Sequence, residues 1–75
     1  MEKKNFERIK DESIKELSKA LQRAGLSKSW AAEKLEVTPS TIGRIFAGTY
    51  RPSLEMALNM KSLSEAVNKL NEVRL

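Results

Sequence analysis

No cysteine and no histidine occur among the 75 residues. Without cysteine there is no disulfide staple and no thiolate chemistry, a composition that suits a reducing cytosol. Without histidine, the side chain most used for proton transfer and metal ligation is missing. Asp11 is the sole aspartate and falls on the polar face of its helix. Glu33 and Glu36 stand three apart with no histidine to complete a metal site, so they read as solvated charges. Neither enzymatic activity, nor a metal, nor a cofactor is expected. Apolar runs are short and interrupted, so no membrane span and no signal-peptide core are expected, and a cytoplasmic location follows. Strand alternation, internal repeats and low-complexity tracts are missing as well.

What is present is a single short domain, 1–75, with a positive balance of +4. A chain of this size buries only about 60% of its unfolded surface, so efficient helix packing or a partner subunit must supply stability. The charge is unevenly spread. Residues 26–51 carry Lys28, Lys34, Arg44 and Arg51 against Glu33 and Glu36, and residues 1–25 are also net basic. In the last third, Lys61, Lys69 and Arg74 are matched by Glu55, Glu65 and Glu72. A polyanion would meet the first two-thirds, leaving the neutral tail for another task.

The few glycines and prolines fall at boundaries. Phe6, Ile9, Ile14, Leu17, Ala20, Leu21 and Ala24 lie within about 140° on a helical wheel, which predicts helix 1 over 6–24. Asn5 is its candidate N-cap and Gly25 its stop, although Asp11 or Ser13 also offers a restart. Ser27 caps helix 2, about 28–35. Thr38 before Pro39 fits an N-cap followed by proline at the first helical position, where the missing N–H costs nothing. Helix 3 then runs 39–47 and stops at Gly48. Pro52-Ser53 opens helix 4, 54–60, with Leu54, Ala57 and Leu58 as its packing face. Ser62 and Glu65 form a capping-box pattern that starts helix 5, 63–74, with Leu63, Ala66, Val67, Leu70 and Val73 in one stripe. The expected fold is all-α with five helices.

Helices 2 and 3 form the informative stretch. Two helices crossing steeply over a short turn need a small residue at their contact, and Ala32 supplies it. On helix 3 the inward direction bisects Ile42, Ile45 and Phe46. Ser40, Arg44 and Ala47 point the opposite way, with Thr41 and Gly43 on the flanks. Such a short, smooth face with one long hydrogen-bonding cation can enter a DNA major groove.

Leu26-Ser27, Ala32, Leu35, Val37-Thr38, Ser40, Ile42, Ile45, Gly48 and Pro52 stand at the spacing of the lambda repressor and Cro type of helix-turn-helix regulator, which the chain resembles over roughly Leu17 to Leu63. The resemblance implies a five-helix domain that binds a double-stranded DNA operator as a homodimer, with one recognition helix per half-site about 34 Å apart. Ser40 and Arg44 match positions that read base edges, with Thr41 and Gly43 beside them. Pro39 occupies the first recognition position, where glutamine is frequent, so readout there is apolar. Lys28 matches a phosphate-binding position at a helix N-terminus. Ser29, Thr38, Thr49, Tyr50 and Arg51 complete the expected backbone contacts. Glu36 replaces the usual turn glycine, at a cost of about 1–2 kcal/mol if the left-handed conformation persists. Ala47 replaces a frequent asparagine, which removes one phosphate contact.

Several residues admit two readings. Gly43 costs about 1 kcal/mol within a helix relative to alanine, explained either by close DNA approach or by packing alone. Tyr50 either bonds a phosphate or covers the Pro52 turn. Trp30 lies about 150° from the mean direction of Ala31, Ala32 and Leu35, so it points outward: over the helix 1–helix 2 corner, or toward a partner protein. The stripe on 62–75 either closes the subunit's own core or forms a dimer seam; its neutral charge and apolar length favour a dimerisation helix, with Met60, Leu63, Val67 and Leu70 at the seam. The leading functional expectation is a sequence-specific, dimeric transcriptional repressor of the autoregulatory kind found in phages and mobile elements. The alternative is a protein-binding module, an antitoxin, antirepressor or inhibitor built on the same scaffold. A regulatory protein partner is compatible with both.

Overall fold

The computed structural model describes residues 2–74, with side chains for 6–70. Among these residues the chain forms α1 (Glu2–Ala24), α2 (Lys28–Leu35), α3 (Pro39–Ala47) and α4 (Leu54–Arg74), and no strand. The all-α expectation holds, but there are four helices rather than five.

Two boundaries differ. Helix α1 begins at Glu2, four residues before the expected start, so Asn5 lies inside it rather than capping it; the Asn5 side chain is outside the described residues. No restart occurs at Asp11 or Ser13, since the buried Ser13 hydroxyl donates to the Ile9 carbonyl at 2.8 Å and the ladder continues. At the other end, the expected helices 4 and 5 are the single helix α4, and Ser62 is an ordinary exposed helical position. The cause is phase. Ala57, Met60, Ser64 and Val67, spaced three, four and three, form one continuous buried stripe against α1. A break at Lys61-Ser62 would leave helix-end amides and carbonyls to satisfy and would gain no burial. Leu58 lies about 140° from that stripe on the wheel and is 48% exposed, not a packing residue.

The other ends are fixed by local chemistry. Ser27 accepts a hydrogen bond from the Trp30 amide at 3.0 Å, Thr38 from the Thr41 amide at 3.2 Å, and Ser53 from the Met56 amide at 3.1 Å. Helices α1, α2 and α3 close with the same motif, in which an amide reaches back five residues. Leu26 donates to Leu21, Val37 to Ala32 and Thr49 to Arg44, at 2.9, 2.9 and 3.0 Å. Each motif needs one left-handed residue. Gly25 (φ 70°) and Gly48 (φ 84°) supply two, and Glu36 (φ 60°) supplies the third despite its Cβ. Replacing Glu36→Gly is expected to stabilise the domain by about 1 kcal/mol, the left-handed penalty less the extra freedom of unfolded glycine. Thermal unfolding should show a rise of about 4–8 °C, and an unchanged midpoint would mean the Glu36 side chain holds a compensating contact.

The core joins all four helices. Leu17 and Leu21 of α1, Ala31 of α2, Ile45 of α3 and Met60 of α4 form its buried cluster, with Ile14, Leu26, Trp30, Leu35, Phe46 and Leu63 packed around it. Helices α1 and α4 lie along each other, while α2 and α3 pack together at their side. Met60 and Val67 are 0% and 2% exposed within the one subunit, which corrects their expected place at a dimer seam. Their side chains already face α1 and the core.

Candidate nucleic-acid interface

Helix α3 hangs on Ile42 and Ile45, both fully buried, with Phe46 half-buried beside them. The opposite face carries Ser40, Arg44 and Ala47, all exposed, with Thr41 and Gly43 partly covered at its edges and Pro39 exposed at its start. Every outward side chain except Arg44 is short, so the guanidinium is the one group on this ridge that projects far. The ion pairs among the described residues join only Glu7, Lys10, Asp11 and Arg51, so Arg44 keeps no carboxylate partner. A Cβ built on Gly43 meets nothing within 4 Å, which removes intramolecular packing as the reason for a glycine there.

The start of α3 is tied to its own cap. The Thr38 and Thr41 hydroxyls lie 2.9 Å apart and share a hydrogen bond. Neither α2 nor α3 has an acidic residue in its first turn, so the partial positive charge of both N-termini stays uncompensated. Lys28, the first residue of α2, adds a full positive charge where an isolated helix would prefer a carboxylate. Its ammonium sits 5.5 Å from the Phe46 ring centroid, a contact that links α2 to α3. Ser29 is exposed next to it.

In the loop after α3, Thr49 donates through its hydroxyl to the Arg44 carbonyl at 3.3 Å, and Tyr50 is half exposed. Arg51 does not offer a free guanidinium. One terminal nitrogen bonds Glu7 at 2.7 Å and the other Asp11 at 3.0 Å, so the loop is pinned to α1. The guanidinium beside Glu7 holds that carboxyl below its ordinary value of 4.5, and the two carboxylates raise Arg51 in turn. The pair is therefore intact at neutral pH and is lost as acidification passes below the usual glutamate range. Glu7 and Asp11 stand four apart on α1, and that spacing was the available signal for a paired-carboxylate clamp.

Trp30 is partly buried and packs against the core cluster that includes Leu17 and Leu21 of α1. It lines a groove of about 340 Å³ with Lys34, Leu63, Ala66, Val67 and Leu70, between α2 and the second half of α4. The Lys34 ammonium lies 5.6 Å from the Trp30 ring centroid. Leu63, Ala66 and Leu70 form a second ridge about 100° round α4 from the Met60 stripe, and Leu70 is 53% exposed. Val73, expected in the same stripe, lies outside the described side chains.

Two helices crossing over a left-handed turn, with an exposed polar ridge on the second, define a helix-turn-helix. A family model described as helix-turn-helix matches residues 17–63, more than half of the chain. No curated protein and no solved structure matches the sequence. The chain belongs to the helix-turn-helix family of the lambda repressor type. Its coarse function is that of a DNA-binding transcription regulator. No helix among the described residues is long and apolar enough to cross a membrane.

Proposed function

We propose that the protein is a non-enzymatic, cytoplasmic repressor that binds a palindromic operator as a homodimer, with α3 of each subunit in the major groove. The observation that carries this reading is the outer face of α3: short side chains, one arginine with no ion-pair partner among the described residues, and a glycine whose added Cβ would meet nothing within 4 Å. In this reading Arg44 bonds a guanine edge, Ser40 and Thr41 take neighbouring bases, and Pro39 meets a thymine methyl. Lys28, Ser29, Thr49 and Tyr50 contact backbone phosphates. Autoregulation, and residence on a phage or mobile element, extend the same reading by analogy with the family.

Dimerisation in this proposal runs through the exposed ridge of α4 rather than through the buried stripe. Leu63 and Leu70, with Trp30 at the groove edge, present apolar surface that a two-fold related copy can cover on both subunits at once. The same groove supports the second reading, in which a regulatory protein occupies it and displaces the dimer partner; an antitoxin or antirepressor role falls under this heading. Selection of bound fragments from a random duplex library is the deciding experiment. Recovery of an inverted repeat with half-sites about one helical turn apart is expected. Recovery of single half-sites would remove the dimer, and recovery of no consensus would leave the partner-binding reading.

A further inference from the structure

A cleft of about 560 Å³ opens between α1 and the α2–α3 pair, lined by Ile14, Lys15, Ser18, Lys19, Lys28 and Phe46. Half of its lining is lysine and none of it is acidic. Among the described residues Lys15, Lys19 and Lys28 take part in no ion pair within 4.0 Å, and the exposed Glu12 and Glu16 of α1 lie outside the lining of the cleft. The adjoining hollow, which shares Ile14, Lys15 and Phe46, shows the contrast: there Asp11 already meets Arg51. Three ammonium groups around one apolar floor repel one another, and an anion between them reverses the sign of that interaction. Phe46 steadies Lys28 from below, and the acid-free N-terminus of α2 adds to the same positive field.

We propose that Lys15, Lys19 and Lys28 form a phosphate-binding cleft that takes a backbone phosphodiester of the operator, which extends the DNA interface onto α1. The inference rests on the DNA-binding reading of α3 and adds two residues to it. Phosphate fits better than a carboxylate because lysines act as convergent point charges without the planar fork that carboxylates favour. The Ser18 hydroxyl, half-buried on the same wall, gives one further donor. Lys28, an expected backbone contact at the start of α2, lines the same cleft as Lys15 and Lys19, so a phosphate held at Lys28 also faces α1.

The test compares wild type, K15Q/K19Q and K61Q/K69Q, which removes the same charge from exposed positions on α4. Binding to the selected operator and to a random duplex is titrated against salt, with thermal melts to show that each variant folds. Each neutralised phosphate contributes about 0.9 to the slope of log affinity against log salt, so losing the one phosphodiester in K15Q/K19Q should lower the slope by about 0.9. Both duplexes should weaken by the same factor, with the ratio between them unchanged. K61Q/K69Q should leave the slope where it was. An unaltered slope in K15Q/K19Q overturns the cleft alone, and an equal drop in both variants assigns the effect to net charge and overturns it too. Wild type without salt-dependent binding overturns the cleft together with the reading of α3. Inorganic phosphate at matched ionic strength supplies the last arm. It should not raise the melting temperature; a saturable rise that K15Q/K19Q abolishes would give the cleft to a small phosphate ligand instead of DNA.

Discussion

Replacing Met60→Ala should destabilise the domain by about 2–5 kcal/mol, the range for truncating a buried methionine and leaving a cavity. Met60 is fully buried and belongs to the cluster with Leu17, Leu21, Ala31 and Ile45, so its side chain touches the core that joins all four helices. A domain of this length holds about 4–11 kcal/mol in total, so such a loss takes a large share of it. Denaturant unfolding at two protein concentrations gives the measurement. The midpoint should fall with its slope unchanged, and by the same amount at both concentrations. A loss that grows on dilution would return Met60 to an intersubunit seam. Leu70→Ala is the companion: at 53% exposure it should cost no more than about 0.5 kcal/mol in the monomer, as surface substitutions do. Any larger cost should appear only at concentrations where subunits associate.

That contrast marks what the sequence could and could not reveal. Ser27, Thr38-Pro39, Pro52-Ser53, Gly25 and Gly48 announce their helix ends because capping is local, set by residues within one turn. The inward face of α3 was equally readable, since nine residues with two isoleucines and one phenylalanine leave a single apolar direction. The phase of α4 was not. Over 63–74 alone, Leu63, Val67 and Leu70 share one stripe, and only the position of α1 decides that Val67 goes in while Leu70 stays out. The groove that Trp30 shares with α4 was hidden for the same reason, because it is lined by the second half of a helix that local signals had split.

The candidate site divides along the same line. The outward placement of Arg44 followed from periodicity within its own helix, and a left-handed Glu36 from the resemblance, which puts it where the family usually has glycine. Arg51 did not, since its carboxylate partners Glu7 and Asp11 lie far back in the chain on α1, Glu7 by 44 residues, and nothing in the loop itself encodes them. Lys15 and Lys19 carry no local signal of their own, and only the fold brings Lys28 beside them. Charge clusters assembled from separate helices are properties of packing, and a one-dimensional reading has no access to them.

Replacing Arg44→Ala should leave the fold intact and relax discrimination at one base pair. The side chain is exposed, has no ion-pair partner among the described residues and projects away from Ile42 and Ile45, so its removal opens no cavity. A bidentate arginine on guanine contributes about 1–3 kcal/mol of discrimination, equivalent to about five- to 150-fold between the preferred base and its substitutes. Arg44→Lys keeps the charge but loses the planar fork, so it should recover affinity for random duplex while discrimination stays low. Lys28→Ala provides the opposite pattern, weakening every sequence about equally and lowering the salt slope by about one. The two outcomes separate charge from shape: a cation that only attracts the duplex lowers affinity everywhere, whereas one that reads it changes the rank order of sequences. Unchanged rank order in Arg44→Ala would take the arginine out of the readout and leave Ser40, Thr41 and Pro39 to carry whatever specificity α3 has.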